Sequence, residues 1–525
     1  MNKPICKRGL IALISVRRQR CNLLQEAPTT SPQQPIHVAI IGTGFGGQSA
    51  AIHLLKQEQL DFVMLERRSF MGGTWCQNSY PGAQVDVQSP LYSLASEPQA
   101  WSQMFAEQAE LEAYTNRVID KYQLREKTVL NFNVIRLTWL DESRCWKIES
   151  ESGDSLYARY VISAQGPLSN PVIPDFNGRE RFQGKSFHTN QWDHSYDYRN
   201  KRVAVIGSGA SAAQVIPAIA PDVQHLHVFQ RTPHWVLPRP DRTFSPTIRK
   251  LLGNKFVYHA LRKTIYWALE WRVFAFKYAH GLMRIFAQRP ALKHLRKQVP
   301  NEVLRRKLTP DYTIGCKRII VSNTLYPALS RENVTLHDKH DGIAEITENG
   351  IKTTQGSNIE LDLIVYSTGF DATDGAVGYE IIGRTGSTLK NFWHEFPRAY
   401  LGTTLPKFPN LFLVTGPNTG IGHTSAIFVI ESQMQYIMRA LRFGDKHGGL
   451  LEVTEQAEAD YTTMIHREMR KTVWHSGGCN SWYKSKSGHV IAMYPGFSFV
   501  YRMKARRFKP QHHRTTTNAI RQESS

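Results

Sequence analysis

Cysteine is scarce in these 525 residues: there are six, scattered, and no two form a Cys-x-x-Cys pair. That usage speaks against a disulfide scaffold, a zinc site or a simple dithiol redox motif; no metal site is expected, and a reducing, cytoplasmic setting is the default. Long apolar runs are missing as well. Nothing approaches the ~18 uninterrupted apolar residues that would mark a membrane-crossing helix. Acid is also in short supply, with Asp+Glu 44 against Lys+Arg 65 and a formal net charge of +21. A surface so biased attracts anions, whether nucleic acid, anionic lipid or a phosphorylated cofactor. Hydrophobic residues at 41% and charged residues at 21% give a globular balance rather than a disordered one. At about 150 residues per domain, the length suggests about three domain-sized units.

Residues 1–35 read as a basic extension. Lys3, Lys7 and Arg8 precede the short apolar run Leu10–Val16, and Arg17, Arg18 and Arg20 follow it. A secretory signal would carry a longer apolar core and small residues after it. Ser31 to Pro35 reads as a linker. Beyond it, Ile36–Ile41 is a short β-branched run of the kind that forms a buried parallel strand. It enters Gly42-Thr-Gly44-Phe-Gly-Gly47, and a helix follows. Gly42 permits the tight turn, Gly44 lets backbone approach a pyrophosphate, and Gly47 allows close helix–strand packing. A second strand, Phe62 to Leu65, ends in Glu66, whose carboxylate suits a free ribose and repels a 2′-phosphate. The first site is therefore expected to take FAD or NAD.

The pattern returns downstream. Arg202–Ile206 is a second buried strand, followed by Gly207-Ser-Gly209-Ala-Ser-Ala212 and a helix. The next strand ends in Gln230-Arg231-Thr232 and has no acid at its tip. Arg231 suits a 2′-phosphate, so this site is expected to prefer NADPH. Two such units predict an α/β chain with two Rossmann-like domains, for FAD and NADPH, and a helical insertion. The expected division is 36–170 and 369–508 for FAD, 171–245 and 311–368 for NADPH, 246–310 for the insertion and 509–525 for a basic tail. Late in the chain, Leu411–Thr415 leads into Gly416-Pro-Asn418-Thr419 and a helix from Ala426, capped by Thr424 or Ser425, whose dipole can face the flavin edge.

The insertion is unlike its surroundings. Over 246–308 it is rich in Lys, Arg and aromatics and holds Glu270 and Glu302 as its acids. It reads as a lid over the cofactor crevice or as a surface for an anionic membrane. No nucleic-acid motif is present, and none is expected to bind.

Gly72-Gly73-Thr74-Trp75 through Tyr80-Pro81-Gly82 to Asp86 resembles the long fingerprint of Baeyer–Villiger monooxygenases. Phe182–Asp193, with His188 and Trp192, resembles their second fingerprint, and Gly315-Cys316-Lys317-Arg318 is similar to the segment carrying their active-site arginine. The resemblance spans roughly residues 36–508. It implies a flavin-dependent monooxygenase that uses NADPH and O2 to insert one oxygen atom beside a ketone carbonyl, through a C4a-peroxyflavin, giving an ester or lactone. The alternative is N- or S-oxygenation by a related flavin-containing monooxygenase. The resemblance also assigns roles. Arg318 and Asp86 carry the oxygen chemistry, Gly73, Thr74, Trp75, Asn418 and Thr419 face the flavin, and Lys317 joins Arg231 and Thr232 at the 2′-phosphate. His188 is expected to have a gating or structural role. The substrate is expected to be a small apolar carbonyl or heteroatom compound; the oligomeric state is left open.

Overall fold

The computed structural model describes residues 26–278, 280–371, 377–479 and 481–516. The basic cluster and apolar run of residues 3–20 lie outside them. Two mostly parallel sheets organise the chain. The first is built on β1 (Ile36–Ile41), which continues into helix α1 (Phe45–Leu55), and on β2 (Phe62–Leu65) and β3 (Ser155–Ser163). β1 lies between β2 and β3, parallel to both, and Ile41 stands opposite Leu65 and Ser163. The register brings three strand ends to one edge, so Gly42, Glu66 and Ala164 begin their loops side by side. That edge of an open parallel sheet is where ligands bind. An antiparallel pair, Val134–Leu140 and Cys145–Ser150, extends this eight-stranded sheet beyond β3.

The second sheet has five strands, all parallel. They are β4 (Lys185–His188), β5 (Arg202–Ile206), which feeds helix α2 (Ala210–Ile219), β6 (His225–Phe229), β7 (Val334–His337) and β8 (Leu363–Tyr366). Their order is β7-β6-β5-β8-β4, with Ile206 opposite Phe229 and Tyr366. Val203, Val205, Leu363 and Val365 are fully buried against α2. Burying such a side chain contributes about 1.5–3 kcal/mol, which is why near-continuous aliphatic runs form central strands.

Helices fill 246–308, among them α3 (Lys255–Glu270) and α4 (Arg272–Lys277). Later, β9 (Leu411–Leu413) joins β3, and the long helix α5 (Ala426–Lys446) packs on α1. No helix among the described residues is long and apolar enough to cross a membrane.

Three expectations change at this level. The end of the stretch read as a basic extension is attached: the Thr30 hydroxyl accepts from the Tyr157 backbone N–H, and Ala27 packs on the first sheet's core. Residues 513–515, read as tail, form a strand paired with Leu451–Val453. Cys316 and Cys479 form a disulfide across 163 residues of sequence. A pair so distant leaves no spacing signal; among the described residues Cys76 and Cys145 stay free.

Candidate active site

The first glycine turn is shaped by close approach. Gly42 has φ +100°, and a Cβ on it would stand 2.6 Å from the Ala164 carbonyl oxygen; a Cβ on Gly47 would stand 1.9 Å from the Gly42 oxygen. Only a bare backbone fits there. Gly44 caps α1 without a side chain, so the first helical amides remain free for an anion. Gly73, at φ +66°, closes over the turn, its absent Cβ 2.6 Å from the Gly44 Cα. Glu66 is buried at the tip of β2, where it accepts from the Thr43 hydroxyl at 2.6 Å and from the Arg68 backbone N–H at 3.1 Å. Thr43, missed in the sequence, thus orients the carboxylate. These residues suit the adenosine diphosphate half of FAD.

In the second turn Gly207 has φ +130°, and a Cβ on it would meet the Ser367 oxygen at 2.3 Å, whereas a Cβ on Gly209 would meet open space. Gly209 caps α2 and also lacks a side-chain cap. Ala212 is fully buried in the core between α2 and the sheet. Arg231 and Thr232 follow β6, and the Thr232 carbonyl accepts from the Ser208 hydroxyl at 2.8 Å. Lys317 lies over the Tyr312 ring, 5.0 Å from its centroid. Burial, and next the positive field of Arg231, lower its pKa. Neither cation has an ion pair among the described residues. Two mutually repelling cations gain most from a dianion between them, which fits a 2′-phosphate.

A cavity of about 1000 Å³ is lined by both sheets, through Ser163 and Leu413 of the first and Ile206 and Phe229 of the second. Gly207, Gly209, Arg231, Thr232 and Lys317 line it, as do Thr74, Trp75, Asp86, Arg318 and Thr419. Gly42, Gly44, Gly47, Glu66, Gly73 and Ala212 lie behind this surface. Arg318 forms a forked pair with Asp86, Nε to Oδ2 at 2.7 Å and Nη2 to Oδ1 at 2.6 Å. Asp86 raises the pKa of Arg318, which holds its proton throughout the ordinary range. The Arg318 side chain keeps 42% of its surface accessible, and it lines the cavity.

Two tyrosines that the sequence reading gave no role at the site arrive there from distant segments. Tyr92 accepts the Trp75 indole N–H at 3.2 Å. Tyr483 is buried beside Arg318, and burial pushes its pKa up to about 12. The disulfide at Cys316 ties the arginine's own loop to the segment that carries Tyr483.

Asn418, expected at the flavin, has its side-chain amide engaged elsewhere: it donates to the Val490 and Met493 carbonyls at 2.9 and 3.1 Å. The spent amide makes it a clasp for the C-terminal loop. Thr424 lines the cavity, and its buried hydroxyl oxygen has no partner among the described residues. Next to it, Ser425 caps α5 by accepting the Ile427 N–H at 3.2 Å. His188 is buried, its Nδ1 accepting from the Asn190 N–H at 3.1 Å, and burial pushes its pKa down to about 4. Among the described residues of the insertion, 246–310, none lines the cavity, so the lid reading has no support. Its inner face, through Phe276 and Met283, packs behind Gly315 and Cys316 instead.

Paired dinucleotide folds opening on one cavity, with a forked arginine at its wall, define a flavoprotein oxidoreductase. Residues 39–265 match the family described as pyridine nucleotide-disulphide oxidoreductase. Its name implies a reactive cysteine pair, yet Cys76 beside the flavin turn is a lone thiol, and neither Cys316 nor Cys479 lines the cavity. A Baeyer–Villiger monooxygenase of Pseudomonas aeruginosa is 43% identical over 93% of both chains. Another, of Streptomyces coelicolor, is 41% identical over 90% of this chain and 91% of its own. The chain belongs to the Baeyer–Villiger monooxygenases. Among solved structures, a steroid monooxygenase bound to NADP superposes with a TM-score of 0.80 at 30% identity, covering 89% of this chain and 96% of its own. A closed cyclohexanone monooxygenase also gives 0.80, at 28% identity over 91% and 97%.

Proposed function

We propose that the protein uses NADPH and O2 to insert one oxygen atom beside the carbonyl of a small apolar ketone, giving an ester or lactone. The forked Arg318–Asp86 pair at the wall of the shared cavity carries this reading. Bound FAD, reduced by NADPH, supplies the activated oxygen. Residues of the chain do the rest. Gly42, Gly44, Gly47, Glu66 and Gly73 hold the FAD adenosine diphosphate, while Arg231, Thr232 and Lys317 hold the NADPH 2′-phosphate. Trp75, Thr419 and Thr424 stand at the flavin end. Attack on a carbonyl carbon by an anionic oxygen nucleophile moves its negative charge onto the former carbonyl oxygen as the new C–O bond forms and the carbonyl π bond breaks. A fixed guanidinium stabilises both; Asp86 holds it in the wall by its Nε and Nη2 donors and leaves Nη1 for the reacting oxygen. Electrophilic oxygenation of an amine or sulfide draws no such benefit. The cofactor requirement also supports a cytoplasmic setting, where NADPH is maintained.

Flavin-loaded enzyme supplied with NADPH, O2 and an equimolar ketone and sulfide tests the reading. Ester or lactone is expected to dominate, and Arg318→Ala to lose it about 100- to 1000-fold while keeping FAD. Sulfoxide as the main product, or undiminished ester formation by the variant, overturns it.

A further inference from the structure

Among the described residues the insertion's outward surface is largely uncovered, its one ring contact with the rest of the fold along the aromatic line being Trp267 on Phe499, 5.8 Å between centroids. Of the seventeen large hydrophobic side chains exposed among the described residues, ten fall between Ile248 and Phe286, a density that scattered surface residues do not reach. Along α3 and α4 they follow a single line: Phe256, Trp267, Trp271, Phe274 and Tyr278 are 88, 41, 68, 48 and 56% exposed. With Ala260 and Lys263 between them, successive positions are three or four apart, the spacing of one helix face. Trp271, where α3 meets α4, keeps right-handed helical angles, so the line continues across the joint. Just beyond, Phe286 is 73% exposed.

The opposite face is firmly seated. Arg262 donates to the Pro90 and Ser93 carbonyls at 2.8 and 2.7 Å and pairs with Glu431 at 3.4 Å. The Tyr258 hydroxyl meets Ser93 at 2.7 Å. Tyr266 stacks on Phe428 with centroids 4.6 Å apart. The aromatic line is therefore displayed by a fixed support.

Charge selects the partner. Residues 246–310 contain fifteen Lys and Arg against two acids. One acid, Glu270, is buried and spent on His423 and Ser498; the other, Glu302, pairs with Arg306. Lys263 stands in the aromatic line and Lys255 next to Phe256; both, like Arg284 further on, are exposed and have no ion pair among the described residues. A second copy would set two such cationic faces against each other. An anionic lipid surface answers both features: rings of Trp and Tyr settle at the headgroup level, and lysines and arginines meet the phosphates.

We propose that the exposed aromatic face of α3–α4, with its flanking lysines and arginines, docks the enzyme on the surface of an anionic membrane. The helices lie in the plane of the interface and do not cross it. This contact is independent of the oxygen chemistry.

Co-sedimentation of the full-length, flavin-loaded enzyme with phosphatidylcholine vesicles, with and without phosphatidylserine, provides the test. Binding is expected to require phosphatidylserine and to weaken as salt is raised. Trp271→Ser with Phe274→Ser should reduce vesicle partitioning at least about tenfold, and Lys263→Glu should reduce it further and flatten the salt response. FAD content and ketone oxidation in free solution should remain those of the parent, which separates docking from folding and from the catalytic reading. Failure of the parent to bind anionic vesicles at low salt overturns the proposal. So does equal binding by the variants, a parent dimer that the variants dissociate, or a single-stranded oligonucleotide that binds this face more tightly than the vesicles do.

Discussion

Arg318 is covered on its polar edge by Asp86 and open toward the cavity, so it orients and stabilises in the same pose. Asp86→Ala removes the orientation while leaving the charge. Ester formation is expected to fall, by less than in Arg318→Ala, because the freed guanidinium still reaches the site in part of its conformations. Single-turnover rates of the two variants check the order, and an Asp86→Ala enzyme slower than Arg318→Ala would refute it. At the other end, Arg231 and Lys317 share one expected anion. Removing a charged partner of a phosphate costs about 1.5–3 kcal/mol, so Arg231→Ala should lower kcat/KM for NADPH roughly 10- to 100-fold and leave NADH nearly unchanged. Paired steady-state assays measure this. An equal loss with both nucleotides would mean that Arg231 serves the fold and not the 2′-phosphate.

Among the elements, the strand–turn–helix units were legible because their signals are local. Aliphatic runs of four to six residues, φ-positive glycines and the acid at the tip of β2 all lie within one unit of chain. Local signals stop where distant segments meet. Nothing near Cys316 announces Cys479, nothing near Trp75 announces the hydroxyl of Tyr92 as its acceptor, and Asn418 sits in a flavin-facing turn yet spends its amide on a loop more than seventy residues later. The helical character of the insertion was readable from periodicity, whereas its placement away from the cavity was not, since an aromatic face can turn inward or outward with the same spacing. α5 gives a clean test of a local signal. Ser425→Ala deletes the cap on Ile427 and should lower stability by about 1 kcal/mol, read as a shift of the denaturation midpoint; no shift would show the cap to be redundant.

For the whole molecule, acid should be the weak side. Burial pushes His188, His227, His234 and His513 each down to about 4, below the ordinary value near 6.5 that they regain on unfolding. The native state thus favours the neutral rings. Stability from this source is complete above pH 6.5 and drains away as pH falls toward 4, because the unfolded chain takes up the protons first. Thermal melts across that window should show a steep decline, and a flat profile would contradict it. Replacing Cys316 with Ser should cost about 2–5 kcal/mol, given the length of chain the bond encloses, with the loss visible in the same melts. That bond also sets how the molecule comes apart. A protease that cuts once between residues 317 and 478 would leave both fragments travelling as one band on a non-reducing gel. They would part only after a thiol is added.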